Sequence, residues 1–145
     1  MLDLWLAIAH HLLVFSIFGI LFAEFILVRR GMDWQAVKRL GLIDIWYGVL
    51  AGLIIAVGFS RAVFAAKGWA YYSHNAFFWA KIGTFVVVGL LSVPPTIDYI
   101  NWRRAKTVPS DAQVGRAQRF LWIELALFAL LPAFAAAMAR GYGEM

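Results

Sequence analysis

An all-α fold, an integral membrane four-helix bundle, is what this sequence predicts, and three observations predict it. Hydrophobic residues make up 63% of the 145 residues and charged residues only 14%, against a soluble average of about half apolar and about a quarter charged. The apolar residues fall into four runs, each long enough to cross ~30 Å of hydrocarbon at about 1.5 Å per residue. Arginine and lysine gather in the connections after the first and third runs, the asymmetry that orients membrane helices. Four spans with short connections use up the chain, so a single transmembrane domain over residues 1–145 is expected. The net charge of +5 then belongs to membrane orientation, and no nucleic-acid partner is expected.

The first helix is expected from about Leu4 to Val28, where Arg29-Arg30-Gly31 combines two charges with a helix terminator. Met1-Leu2-Asp3 supplies no basic leader and the run is longer than the apolar core of a signal peptide, so this helix is expected to be retained. A basic loop with Asp33, Lys38 and Arg39 follows. The second helix is expected from about Leu42 to Phe64 and the third from about Ala76 to Asn101. The loop between them, 65–75, carries Trp69, Tyr71 and Tyr72, rings suited to a membrane–water interface. Pro109-Ser110-Asp111 reads as a turn or helix entry, and the fourth helix is expected from about Arg119 to Arg140.

Four basic residues follow the first helix (Arg29, Arg30, Lys38, Arg39) and five surround the third connection (Arg103, Arg104, Lys106, Arg116, Arg119), against Lys67 alone in the second. Both termini and the second connection are therefore expected outside, and the basic connections in the cytoplasm. That orientation sorts the polar residues by depth. His11, about seven residues into the first helix, and Lys81, about six into the third, share a layer ~9–11 Å below the outer surface. Arg61 and His74 fall towards the same side. Glu24, Asp44, Asp98 and Glu124 lie near cytoplasmic helix ends. Within two turns of several arginines, they are expected to form interfacial ion pairs; a proton relay is the alternative.

Lys81 is the residue most in need of compensation, since an ammonium at mid-membrane costs roughly 2.5–3.5 kcal/mol. It either snorkels to the interface or meets a partner. His10 and His11 are the partners the first helix offers at that depth; being adjacent, they point about 100° apart, so only one can face the interior. A second feature is the spacing of Gly48, Gly52, Ala56 and Ser60, which continues the stripe begun by Asp44. Small residues on one face admit a neighbouring helix or a flat ring. On the first of these, Gly52→Leu should disturb the bundle. Pro94, Pro95 and Pro132 should kink their helices. With no cysteine in the chain, iron–sulfur clusters, thiolate-ligated haem and covalently attached haem are excluded.

Two short motifs, Ala9-His10-His11-Leu12-Leu13 in the first helix and Phe78-Trp79-Ala80-Lys81 in the third, resemble those of the HemJ family. These are small four-helix membrane proteins associated with oxidation of protoporphyrinogen IX. The chain is at least as similar to short bacterial predicted membrane proteins of unassigned function. The resemblance implies a bacterial inner membrane protein that binds haem b through His11 and Lys81. It departs from the family at Glu24-Phe25-Ile26-Leu27, which stands where a Pro-Arg pair is expected. His74 is the alternative second ligand and His10 the alternative first. Arg61, Lys67, Tyr71, Tyr72 and His74 are the nearest partners for propionates. An amine offers its lone pair only when deprotonated, a form that metal coordination favours. Three functions follow as expectations. One is a haem-b oxidoreductase with a porphyrinogen and a quinone as partners, another a haem-binding electron-transfer subunit. The last is a cofactor-free transporter or structural membrane protein. The lipid bilayer is the partner common to all three, and a homo-oligomer is compatible with each.

Overall fold

The computed structural model describes residues 1–64 and 66–145; Ala65, at the start of the expected second connection, lies outside them. Six helices are present among the described residues: α1 (Leu2–Leu27), α2 (Trp34–Phe64), α3 (Gly68–Ser73), α4 (Ala76–Ala105), α5 (Asp111–Phe128) and α6 (Leu130–Ala139). Taking α5 and α6 as one span, four are long and apolar enough to cross a membrane. The bundle is all-α.

Two helices begin earlier than expected, and both for a capping reason. The α2 start moves from Leu42 to Trp34 because the Asp33 carboxylate accepts the Ala36 N–H at 2.8 Å, satisfying a first-turn donor. The residues expected to form a basic loop are instead an amphipathic lead-in, with Val37 and Leu40 buried and Lys38 and Arg39 exposed. Likewise α5 starts at Asp111 and not at Arg119, held by a reciprocal capping box between Ser110 and Gln113. The fourth span then breaks at Ala129. Pro132 has no N–H to donate to the Phe128 carbonyl and its ring crowds that same oxygen. Pro94 and Pro95, by contrast, are carried inside α4 without an interruption.

The spans run up and down around a shared core, α1 against α2 and α4 against α5 and α6. This places both termini and the α2–α4 connection at one end, called here the terminus end, and the arginine-bearing connections at the other, the arginine end. The tightest packing lies towards the arginine end, where Ile17, Leu21, Leu40, Tyr99, Trp102 and Leu121 are buried. Outward, Phe15, Trp46, Leu90 and Trp122 are more than half exposed. An apolar surface of this extent is stable only against a bilayer.

Asn75 locks the terminus end. Fully buried, its side-chain oxygen accepts the Phe77 N–H at 3.0 Å and caps α4, while its Nδ2 donates to the Tyr142 carbonyl at 3.1 Å. The tail is laid over it by two backbone bonds, Ala76 N–H to Gly143 O at 2.8 Å and Met145 N–H to His74 O at 2.9 Å. Gly143 is required there: its φ is +82, and a Cβ would come within 2.6 Å of the Phe77 ring.

Candidate functional site

Where α2 faces α4, the bundle is open rather than packed. A cleft of about 580 Å³ lies between them, lined by Asp44, Gly48 and Ile55 on one side and Gly89, Thr96 and Tyr99 on the other. The sequence builds it by omission, because Gly48 and Gly89 present no side chain and a Cβ at either would meet nothing within 4 Å. At the arginine end, Arg103 also lines the cleft; its side chain lies across Gly41, where a Cβ would collide with it. Most of the wall is apolar. Among the polar exceptions, Ser92 and the Asp44–Thr96 pair line the cleft, the Thr96 hydroxyl donating to Asp44 Oδ1 at 2.9 Å; Tyr99 also lines it, but its hydroxyl is buried, with no hydrogen-bond partner among the described residues.

Behind this end, in the core, Glu24 (2% exposed) and Glu124 (0%) are buried. Tyr47 donates to Glu124 Oε2 over a long 3.5 Å, and Oε1 of each glutamate has no partner. Glu24, Asp44 and Glu124 are electrostatic neighbours of one another. The expected ring of interfacial ion pairs is thus corrected. Among the described residues the one carboxylate–cation contact is Asp98 with Arg116, at 3.9 Å, and Glu24, Asp44 and Glu124 turn inward.

The small-residue stripe also divides. Gly48 lines the cleft, while Gly52 and Ala56 are exposed and no atom lies within 4 Å of a Cβ built at Gly52. Ser60 donates to its own helix at Ala56 O, 2.8 Å away. A neighbouring helix does not cover this face, which corrects the expectation that Gly52→Leu disturbs the bundle.

Near the terminus end a second, much smaller chamber of about 40 Å³ is lined by His10, Gly58, Arg61, Tyr72, Phe78 and Lys81, among others. The expected layer of basic groups is therefore present, with a different histidine in it. His10 faces Lys81 and Arg61, and its Nδ1 is buried without a partner. His11 is exposed on the bundle surface, its Nδ1 bonded to Ala7 O at 2.7 Å. The reason is the 100° step between neighbours: once Ile17, Leu21 and Glu24 set the inward face of α1, only His10 extends it. His74 is exposed and bonded to Ala70 O at 2.8 Å, while Lys67 stacks over Tyr71, 4.2 Å from the ring centroid. Neither lines the chamber. Pockets for cofactors and drug-sized ligands run to about 300–1,000 Å³, so a space of about 40 Å³ does not admit a porphyrin. The expected His11–Lys81 haem site does not fit this geometry.

Fold and polar interior together define a small polytopic membrane protein, a four-span bundle with buried ionisable groups. The family model described as "Predicted membrane protein (DUF2214)" matches residues 2–143, nearly the whole chain, and the protein belongs to that family. No curated protein and no solved structure matches it. The family description names no function, and it does not bear on the resemblance to HemJ.

Proposed function

We propose that this protein binds a flat, lipid-soluble molecule with hydrogen-bonding oxygens at its edge, of the quinone class, in the cleft between α2 and α4. The observation that carries this reading is the Asp44–Thr96 pair, a hydrogen-bonded polar group set in the wall of an otherwise mostly apolar cleft. A hydrogen bond between a ligand oxygen and this pair contributes about 0.5–1.5 kcal/mol. The rest of the cleft suits the same guest. Gly48 and Gly89 leave room for a ring, the apolar walls of Ile55, Phe85 and Val86 suit an isoprenoid tail, and the cleft faces the bilayer in which such molecules dissolve. The Asp44–Thr96 pair meets the head, with Glu24 and Glu124 behind it as proton-binding groups. Binding and proton exchange are the proposed function; no electron donor is assigned.

The orientation belongs to the same proposal: termini outside, cleft head in the cytoplasmic half. Reporter fusions at Met145 and within the 106–110 connection should report opposite compartments, the latter cytoplasmic. The site itself is tested by illuminating the purified protein with an azido-quinone. Adducts are expected on residues 44–55 and 85–100 and should disappear with excess unmodified quinone. Labelling scattered over the lipid-facing surface, or none, contradicts the cleft. Exclusive labelling beside His10 moves the site to the terminus end.

A further inference from the structure

The small chamber near the terminus end has a chemistry of its own. Three helices each contribute one nitrogen base or cation to it: His10 from α1, Arg61 from α2 and Lys81 from α4. Among the described residues none of the three makes an ion pair. The acidic residues of this end, Asp3 and Glu144, form no ion pair with them; Asp3 Oδ1 is itself buried without a partner among the described residues. Among the described residues, His10 Nδ1 and Arg61 Nε are both buried without a hydrogen-bond partner, and the Lys81 ammonium meets the Phe78 ring at 5.5 Å from its centroid. Two cations beside an apolar wall of Phe78 and Met138 are an uncompensated charge in a low-dielectric layer. An anion would neutralise it and accept from the orphaned donors. Space fixes the size, because about 40 Å³ holds a single small group.

We infer that His10, Arg61 and Lys81 form a binding site for one anionic oxygen group, a carboxylate or a phosphate head. Arg61 offers the fork that fits either oxyanion, Lys81 a point charge, and His10 a single ring N–H. Gly58 keeps the chamber open: a Cβ there would stand 3.6 Å from the His10 ring, and a larger side chain would enter the space. Tyr72 and Phe78 form the side towards the α2–α4 connection. The same chemistry could come from a dissolved anion or from the head of an anionic lipid seated in the leaflet. This site and the quinone cleft use no residue in common, and each stands or falls alone.

The test uses the full chain purified in an uncharged detergent and buffered without oxyanions. Thermal unfolding is followed by tryptophan fluorescence, for which Trp69 lies 6.1 Å from the Phe78 ring and 6.4 Å from the Trp79 ring, centroid to centroid. Acetate and inorganic phosphate are titrated at constant ionic strength, and in parallel phosphatidylglycerol is titrated against phosphatidylcholine. A saturable rise in Tm with the free anions identifies a dissolved ligand. A rise with phosphatidylglycerol alone identifies a lipid head. Arg61→Gln and Lys81→Met should each raise the half-saturating concentration at least about tenfold, whereas Lys81→Arg, which keeps the charge, should change it by no more than about threefold. Without anion, Lys81→Met should melt above the wild type, because it removes an unpaired charge. The inference is overturned if no anion raises Tm saturably, or if Lys81→Met responds as the wild type does. Should Lys81→Met fail to fold, Lys81→Arg decides: loss of its response shows that charge is not what the site uses.

Discussion

Asn75→Ala should destabilise the protein by about 1.5–2.5 kcal/mol, a large effect for a single polar substitution. Two contributions add. Removing the side-chain oxygen uncaps α4 at the Phe77 and Phe78 N–H groups, which costs about 1 kcal/mol. Removing Nδ2 strips the Tyr142 carbonyl of its donor, and because Tyr142 is exposed water can replace it, so only the net worth of the bond is lost, about 0.5–1.5 kcal/mol more. Asn75→Ser separates the two, since a serine oxygen still caps but does not span to Tyr142; about half of the loss should return. Unfolding in mixed micelles, followed by circular dichroism, gives the values. A loss below about 0.5 kcal/mol for Asn75→Ala would mean that the tail is held by its backbone bonds alone.

The second large effect is on binding. Gly48→Leu places four carbons in the cleft and should weaken quinone affinity by about 1–3 kcal/mol, roughly 5- to 150-fold. The bundle itself should fold normally, because a Cβ at that position meets nothing within 4 Å. Gly89→Leu, from the opposite wall, should behave alike. Gly52→Leu is the control: it lies one turn along the same helix, away from the cleft lining and exposed, so affinity and stability should both stay near wild type. Tyr99→Phe has a different signature. Deleting a buried hydroxyl that has no partner among the described residues should leave unfolding stability equal or higher and affinity near wild type.

The four spans were legible because hydropathy over ~20 residues is a strong signal in lipid. Helix ends were less so. The caps at Asp33 and Ser110 are written in the chain, but the basic residues that follow them read as loop until the buried Val37, Leu40, Val114 and Ala117 show a helical face. The site was legible only in part. A layer containing a histidine, Arg61 and Lys81 followed from depth counting, yet depth does not say which of two adjacent histidines faces inward. Rotation is set by the buried face of α1, a tertiary fact. The cleft also has a signal in the sequence. Ser92, Thr96, Tyr99 and Arg103 recur at steps of four, three and four on α4, opposite Asp44, Tyr47 and Gly48 on α2, so two polar helix faces confront each other. Ion pairing of Glu24 and Glu124 was expected from sequence distance to arginine. What decides instead is that arginine stems at a helix end extend to water, leaving the carboxyls one or two turns deeper without them.

Titration of the purified protein with a short-chain benzoquinone, read as quenching of tryptophan and tyrosine fluorescence, tests the central claim most directly. The account predicts saturable, one-to-one binding in the wild type and in Gly52→Leu, and a midpoint shifted at least about fivefold in Gly48→Leu. Quenching that rises linearly without saturation, or a midpoint identical in Gly48→Leu and wild type, would contradict it, and would leave the cleft to an acyl chain or a second copy of the bundle.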